Sequence, residues 1–336
     1  MSSDPGAPAT LPARTRPEPP EPVPPAPRRL RLDWRDGAIY LGFAVVFLLF
    51  AILLGDSGFL TAGNLLNIVR QTAIIAVMAV AGTFVIAAAQ IDLSVGSVAG
   101  LSSVVTALTI SATGSGPLGV LAGLGVGLAA GVVTGALVAY ARIPSFLVTL
   151  AMLGIASGVA QWISNFQPVP ILDRQFTLLF GSGDFGPVPS LLVWAAVFVA
   201  AGALVMRKTR YGRQVVATGG NPIAARFSGV RVKRITFTVL VVSAVVASIA
   251  GMLYAGRLQS GRFQWGTGDE LSVIAAVVLG GTSLFGGNGR VLGSVVGAVF
   301  VGLVNNGLIL AGLDTSQQTI IQGIIIVIAV ALARKK

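Results

Sequence analysis

The chain has no cysteine and no histidine among its 336 residues. That removes disulfide frameworks, thiol chemistry, Cys- or His-ligated metal sites and any Ser-His-Asp triad. Lysine is scarce too: Lys208, Lys233, Lys335 and Lys336 are the whole set. None stands in a G-x-x-x-x-G-K-[ST] context, so the chain has no phosphate-cradling loop of its own. Charge of either sign is low, at 10% of residues against 54% hydrophobic. A soluble domain carries about 25% charged residues. A chain with so few cannot cover a water-facing surface, so it is read as an all-α, polytopic membrane protein.

The charge that is present is lopsided, with a net +11. Nucleic-acid binding is one explanation of such a balance. In a membrane protein the better one is topology, because basic residues collect in cytoplasmic loops. Residues 1–31 stand apart. Ten of the seventeen prolines lie between Pro5 and Pro27, and such a stretch buries too little apolar surface to offset its ordering entropy. A disordered cytoplasmic tail is expected there. The first apolar run, Ala38 to Gly55, is too long for a signal-peptide core and suits a spanning helix of about 20 residues.

Further runs lie near 72–89, 95–113, 117–140, 144–164, 189–206, 235–255, 271–285, 291–309 and 317–333. About ten transmembrane helices follow, in a permease-sized domain over 38–333. The run 271–285 is short and is interrupted by Gly280-Gly281, so a half-helix or re-entrant segment is the other reading. With the spans alternating from a cytoplasmic N-terminus, nineteen Lys and Arg fall inside and four outside (Arg70, Arg174, Arg257, Arg262). Both termini are therefore expected in the cytoplasm.

Glycine is abundant and ordered. Gly119, Gly123, Gly127, Gly131 and Gly135 recur every fourth residue, which keeps them on one helical stripe and lets a neighbouring helix approach closely. Tight packing inside the bundle is the plain reading; a homodimer interface or a sliding surface is the sharper one. Gly96 and Gly100 repeat the spacing.

Three polar features interrupt the apolar runs. Asp92 and Ser94 lie between two spans. A carboxylate at the bilayer centre would cost about 2.5–3.5 kcal/mol. Asp92 therefore either caps the next helix at a helix break or faces a water-filled translocation path. Asn305 and Asn306 lie within a span and either hydrogen-bond between helices or line that path. The third feature is the 207–234 loop, with eight basic residues and no acidic one. Within it Asn221 suits a helix N-cap, Pro222 the first helical position, and Gly229 a C-terminal stop. A short helix over about 222–228 is expected, with Ala224 and Ala225 as a low, dockable surface. A helix with both ends specified points to a docking element rather than an inert linker.

Four motifs then carry a resemblance. They are Ile91-Asp92-Leu93-Ser94-Val95-Gly96-Ser97, Ile143-Pro144-Ser145-Phe146-Leu147-Val148-Thr149-Leu150, Gly220 to Val230, and Gly280 to Gly289. In this order the chain resembles the membrane permease of a ribose-type, binding-protein-dependent ABC importer. Ser145 departs slightly from the family pattern. The resemblance implies a bacterial cell-membrane protein that is not itself an enzyme. It holds no cofactor, because ATP and Mg sit on a partner ATPase, usually two nucleotide-binding domains fused in one chain. It implies a second permease copy, most simply a homodimer, and an extracytoplasmic sugar-binding protein. By the same pattern the coupling helix that seats in the ATPase comprises Asn221, Pro222, Ala224, Ala225, Arg226, Ser228 and Gly229. The cargo would be a pentose or similar monosaccharide. Related permeases for nucleosides, autoinducer-type sugars or branched-chain amino acids share the architecture. An ion-coupled secondary transporter is the different-class alternative; it usually carries ionisable residues in the membrane core, where Asp92 stands almost alone.

Overall fold

The computed structural model describes residues 34–333; the proline-rich tail expected over 1–31 lies outside them. The chain is almost wholly helical. In order come α1 (Trp34–Leu53), α2 (Ala62–Ala87), α3 (Val95–Thr113), α4 (Gly116–Ala139) and α5 (Ser145–Ser164). The two-residue strand β1 (Val169–Pro170) and the short α6 (Arg174–Thr177) follow, running into a π-helical turn at Leu178–Ser182. Next are the hairpin strands β2 (Asp184–Phe185) and β3 (Val188–Pro189), then α7 (Ser190–Lys208), α8 (Arg210–Gly220), α9 (Pro222–Phe227) and α10 (Val232–Leu258). The chain closes with β4 (Ser260–Gly261), α11 (Asp269–Leu279), α12 (Val291–Leu310) and α13 (Thr315–Ala333).

Seven of the described helices are long and apolar enough to cross a membrane: α2, α3, α4, α5, α7, α10 and α12. The first and last expected spans coincide with α1 and α13, which lie outside that seven. The run 271–285 departs from a span altogether. It forms the eleven-residue α11 and then a glycine-rich loop. Eleven residues rise about 16 Å, roughly half of a 30 Å hydrocarbon core.

α2 is the central element. Every residue from Thr72 to Ala87 is buried, enclosed by α7, α8, α10, α11 and α12. Arg70 and Ala87 lie on it about 26 Å apart at 1.5 Å per residue, and so mark its two ends. At the Arg70 end, Arg70 pairs with Asp184 at 2.9 Å and Arg257 donates to Asn67 at 3.1 Å. Ala87 marks the other end, where the basic loop lies.

The glycine stripe of α4 is spent inside the chain. A side-chain carbon at Gly131 would lie 2.7 Å from the Val241 α-carbon, and one at Gly127 2.7 Å from the Ala244 carbonyl oxygen. At Gly135 it would meet the Phe237 carbonyl oxygen at 2.9 Å. Gly123 abuts Thr106 and Ser102 of α3 and Met252 of α10, while Gly119 abuts Ile110 and Thr106. The stripe is thus the seam where α4 meets α10 and α3.

Gly96 and Gly100 do something else. After α10 the chain pairs Ser260–Gly261 with Val169–Pro170. It then runs without regular structure along α3, towards that helix's start. Gly261 lies against Ser103, Phe263 and Trp265 against Gly100, and Gly266 against Gly96. The small residues of α3 therefore admit a strip of irregular backbone rather than a helix. Such backbone is tolerated among spanning helices where protein covers it. Ser103 supplies part of that cover, donating to the Arg262 carbonyl at 3.0 Å and accepting from its amide at 3.2 Å.

Candidate functional site at the basic end of the bundle

The four sequence motifs, far apart in the chain, meet at one end of α2. That helix stops because Ala89 takes a left-handed conformation, φ 57°. The Ala89 and Gln90 amides then return to the Ile86 and Val85 carbonyls at 2.9 and 3.0 Å, which satisfies the open carbonyls of the last turn. Ile91 is clamped by the start of α5. Its amide donates to Ser145 Oγ at 3.1 Å, and its carbonyl accepts from Thr149 Oγ1 at 3.3 Å.

Asp92 is buried, and its carboxylate is engaged locally. Oδ1 accepts from the Ser94 amide at 2.9 Å and from Ser94 Oγ at 2.7 Å. Ser94 is the N-cap residue of α3 and makes no side-chain cap bond of its own. The turn that starts α3 is thus held by Asp92, two residues back.

The basic loop folds as α8 and α9. α8 is anchored by Val215, which is fully buried, and by Thr209, which accepts from the Gly212 amide at 3.2 Å. Tyr211 stacks on Phe84 of α2 with ring centroids 6.3 Å apart and shares a 3.0 Å hydrogen bond with Thr238. Burial raises the Tyr211 phenol above its usual pKa, partly offset by that bond. Asn221 ends α8 and begins α9, its Oδ1 accepting from the Ile223 and Ala224 amides at 3.1 and 3.0 Å. Pro222 takes the first helical position. Ser228 Oγ donates back to the Ala224 carbonyl at 3.0 Å, and Gly229 turns away at φ +82°.

The exposed surface of α9 differs from the expected one. Ala225 is 4% exposed; its carbonyl accepts from the Val230 amide at 3.0 Å as the chain folds back. Ala225 therefore packs within the chain and does not offer the low, exposed surface expected of it. Ala224 and Arg226 are exposed. The prominent side chains are Ile223, 68% exposed, and Phe227, 90% exposed. Their four-residue spacing puts them on one helical face. That spacing was visible in the sequence, but nothing there said which face would be covered.

The glycine-rich loop 280–290 completes the site. Gly287 donates its amide to the Ala87 carbonyl at 3.0 Å. A side-chain carbon at Gly286 would stand 2.7 Å from Ala89 Cβ and 2.8 Å from the Gly219 carbonyl oxygen; one at Gly287 would stand 2.8 Å from the Gly220 α-carbon. Gly219 itself lies against the Ala87 carbonyl. Backbone meets backbone here, so the α8–α9 elbow, the end of α2 and the loop form one clasp.

Asn305 and Asn306 lie elsewhere, late in α12 and far along it from this end. Asn306 exchanges amide hydrogen bonds with Asn64 at 3.0 and 2.9 Å. Asn305 accepts from Gln322 at 2.9 Å and, with Ser272, borders a water-sized cavity between α11, α12 and α13. Neither joins Asp92. The sequence reading also missed a pair of acids at the start of α11. Asp269 accepts from Tyr254 Oη at 2.7 Å, and Glu270 lies beside Gly96. They follow the irregular strip, whose path no local pattern announces. Among the described residues no group of His, Cys, Asp or Glu converges to hold a metal ion.

Residues 64–330 match the family model described as "Branched-chain amino acid transport system / permease component". The chain belongs to this permease family. It is 40% identical to the ribose import permease protein RbsC of Escherichia coli K12 over 283 residues, covering 83% of this chain and 88% of that one. It is 38% identical to the L-arabinose ABC transporter permease protein AraH of Azospirillum brasilense over 327 residues, 96% and 95% of the two chains. The ribose import permease of Bacillus subtilis is 37% identical, over 88% and 92%. The permease is a multi-pass membrane protein, and its motifs are the ones gathered at the basic end.

Proposed function

We propose that this permease is the membrane subunit of an ATP-driven importer that carries a monosaccharide, a pentose or a close relative, into the cytoplasm by alternating access. The observation that carries the reading is α9: a capped helix with an exposed apolar face, set among eight exposed basic residues and packed through the clasp onto the central helix. A partner that pulls on α9 pulls on α2 and on the break before α3. The family model is named for amino acids, but the relatives above are named for ribose and arabinose, which favours sugar as cargo.

In this reading ATP and Mg are bound by a separate ATPase, with two nucleotide-binding domains in one chain. The 207–234 loop is its coupling element. A second copy of the permease completes the path, and an extracytoplasmic sugar-binding protein delivers the cargo at the Arg70 end. The basic end faces the cytoplasm, as the nineteen-to-four distribution of Lys and Arg supports, and both termini lie on that side. The domain over 38–333 is the permease proper, and the 1–31 segment is an appended tail.

Purification from the native membrane in mild detergent tests this. A two-domain ATPase should co-purify in fixed stoichiometry, and one monosaccharide, with its binding protein, should raise ATP hydrolysis. A chain that purifies alone, with uptake abolished by collapsing the ion gradient but not by depleting ATP, would overturn the reading.

A further inference from the structure

Phe285 is 72% exposed, and its position makes that exposure informative. Many apolar side chains on the outer faces of α4, α5 and α7 are exposed as well, and lipid accounts for them. Lipid does not account for Phe285. The loop that carries it is seated on Ala87 and Ala89, beneath the end of α2, in which every residue from Thr72 to Ala87 is buried. It therefore lies under the interior of the bundle rather than at its rim.

The loop is also built rather than slack. Gly281, Gly286 and Gly287 take positive φ of 83°, 81° and 76°. Thr282 is buried and accepts from the Arg290 amide at 3.0 Å, and Gly286 donates to the Ser283 carbonyl at 2.9 Å. A side chain held out from a fixed loop can bind without a large ordering cost. Through Gly286 and Gly287 the loop rests on Gly219 and Gly220, one turn of chain from Ile223. The 207–234 segment that carries Ile223 and Phe227, and whose Gly219 and Gly220 the loop rests on, holds eight basic residues, all exposed, and no acidic one.

We propose that the 280–290 loop is a second docking element for the ATPase, with Phe285 entering an apolar hollow of acidic rim beside the one that takes Ile223 and Phe227. This rests on the reading that the ATPase docks at α9. The charge pattern selects the partner: exposed apolar side chains beside a segment whose charges are all positive fit a water-soluble protein face of opposite charge. The clasp gives the two elements a common movement, so closure of the ATPase would be felt at α9 and at the end of α2 together.

The absence of cysteine makes the test direct. Phe285→Cys, Ile223→Cys and Leu172→Cys would each carry one thiol-attached photo-crosslinker in the assembled importer in membrane vesicles. Leu172 is 93% exposed and lies beside β1, at the other end. Phe285→Cys and Ile223→Cys should both yield permease–ATPase adducts, at least tenfold above Leu172→Cys. If Ile223→Cys crosslinks to the ATPase and Phe285→Cys reaches only lipid or nothing, the inference falls and the coupling role of α9 stands. If neither reaches the ATPase, both fall. As a second readout, Phe285→Asp should lower the ATPase recovered with the permease at least tenfold at unchanged permease abundance, and Phe285→Leu should restore it. Full recovery with Phe285→Asp would overturn the inference.

Discussion

The amide of Gly287 donates to the carbonyl of Ala87 at 3.0 Å, across two hundred residues of sequence. That bond ties a loop at the basic end to the last turn of the most buried helix. It is possible only because neither Gly287 nor its neighbour Gly220 has a side chain to hold the backbones apart.

Gly287→Ala should therefore uncouple transport. The added carbon would stand 2.8 Å from the Gly220 α-carbon in a residue at φ +76°. The left-handed backbone alone costs an L-residue about 1–2 kcal/mol. Sugar uptake in cells is expected to fall at least tenfold with the permease still in the membrane. Gly186→Ala is the control: φ +63°, but open space around it, so uptake should stay near normal.

Asp92 holds the Ser94 amide and hydroxyl through one carboxylate oxygen, a role that an amide oxygen can also fill. Asp92→Asn keeps an oxygen for the Ser94 amide and hydroxyl, and uptake should remain within a few-fold of the parent. Asp92→Ala leaves the Ser94 donors without their acceptor, a loss of about 1–3 kcal/mol when buried, and uptake should collapse. Equal failure of both variants in the uptake assay would point to the charge.

Asn221→Ala removes the acceptor of two amide bonds at the start of α9. Loss of an N-cap costs about 1 kcal/mol, and in a six-residue helix it should release the whole element. ATPase stimulation by the loaded binding protein should drop severalfold, while Asn221→Asp should retain most of it.

The α4 seam is a matter of stability. Gly131→Leu would drive a side chain into the Val241 backbone, and overpacking of this kind costs about 1–3 kcal/mol or more. Permease yield and detergent melting temperature should both fall. Gly125→Leu, where nothing lies within 4 Å, should leave both unchanged.

Asn64 and Asn306 offer a smaller effect. A double-mutant cycle with alanine at each, read by thermal melting in detergent, should give a coupling energy of about 0.6 kcal/mol, the average for polar pairs between membrane helices.

Much of this was legible before folding was considered. Low charge required a membrane. Asn221, Pro222 and Gly229 specified the ends of α9, because capping is settled within three or four residues. The four-residue repeat from Gly119 to Gly135 announced a close helix seam for the same reason. What the sequence could not give was which surfaces meet. Ala225 turned inward, and Ile223 and Phe227 outward, where α9 packs on α8 and α10. Gly96 and Gly100 proved to receive an irregular strip from 261–266 rather than a helix. Asn306 found Asn64 at a separation of 242 residues, and Gly286 and Gly287 found Gly219 and Gly220. Periodicity and capping are properties of one turn of chain, so the sequence determines them by itself. The clasp depends on the packing of α2 against five other helices, and only the tertiary structure decides which backbones that packing brings into contact.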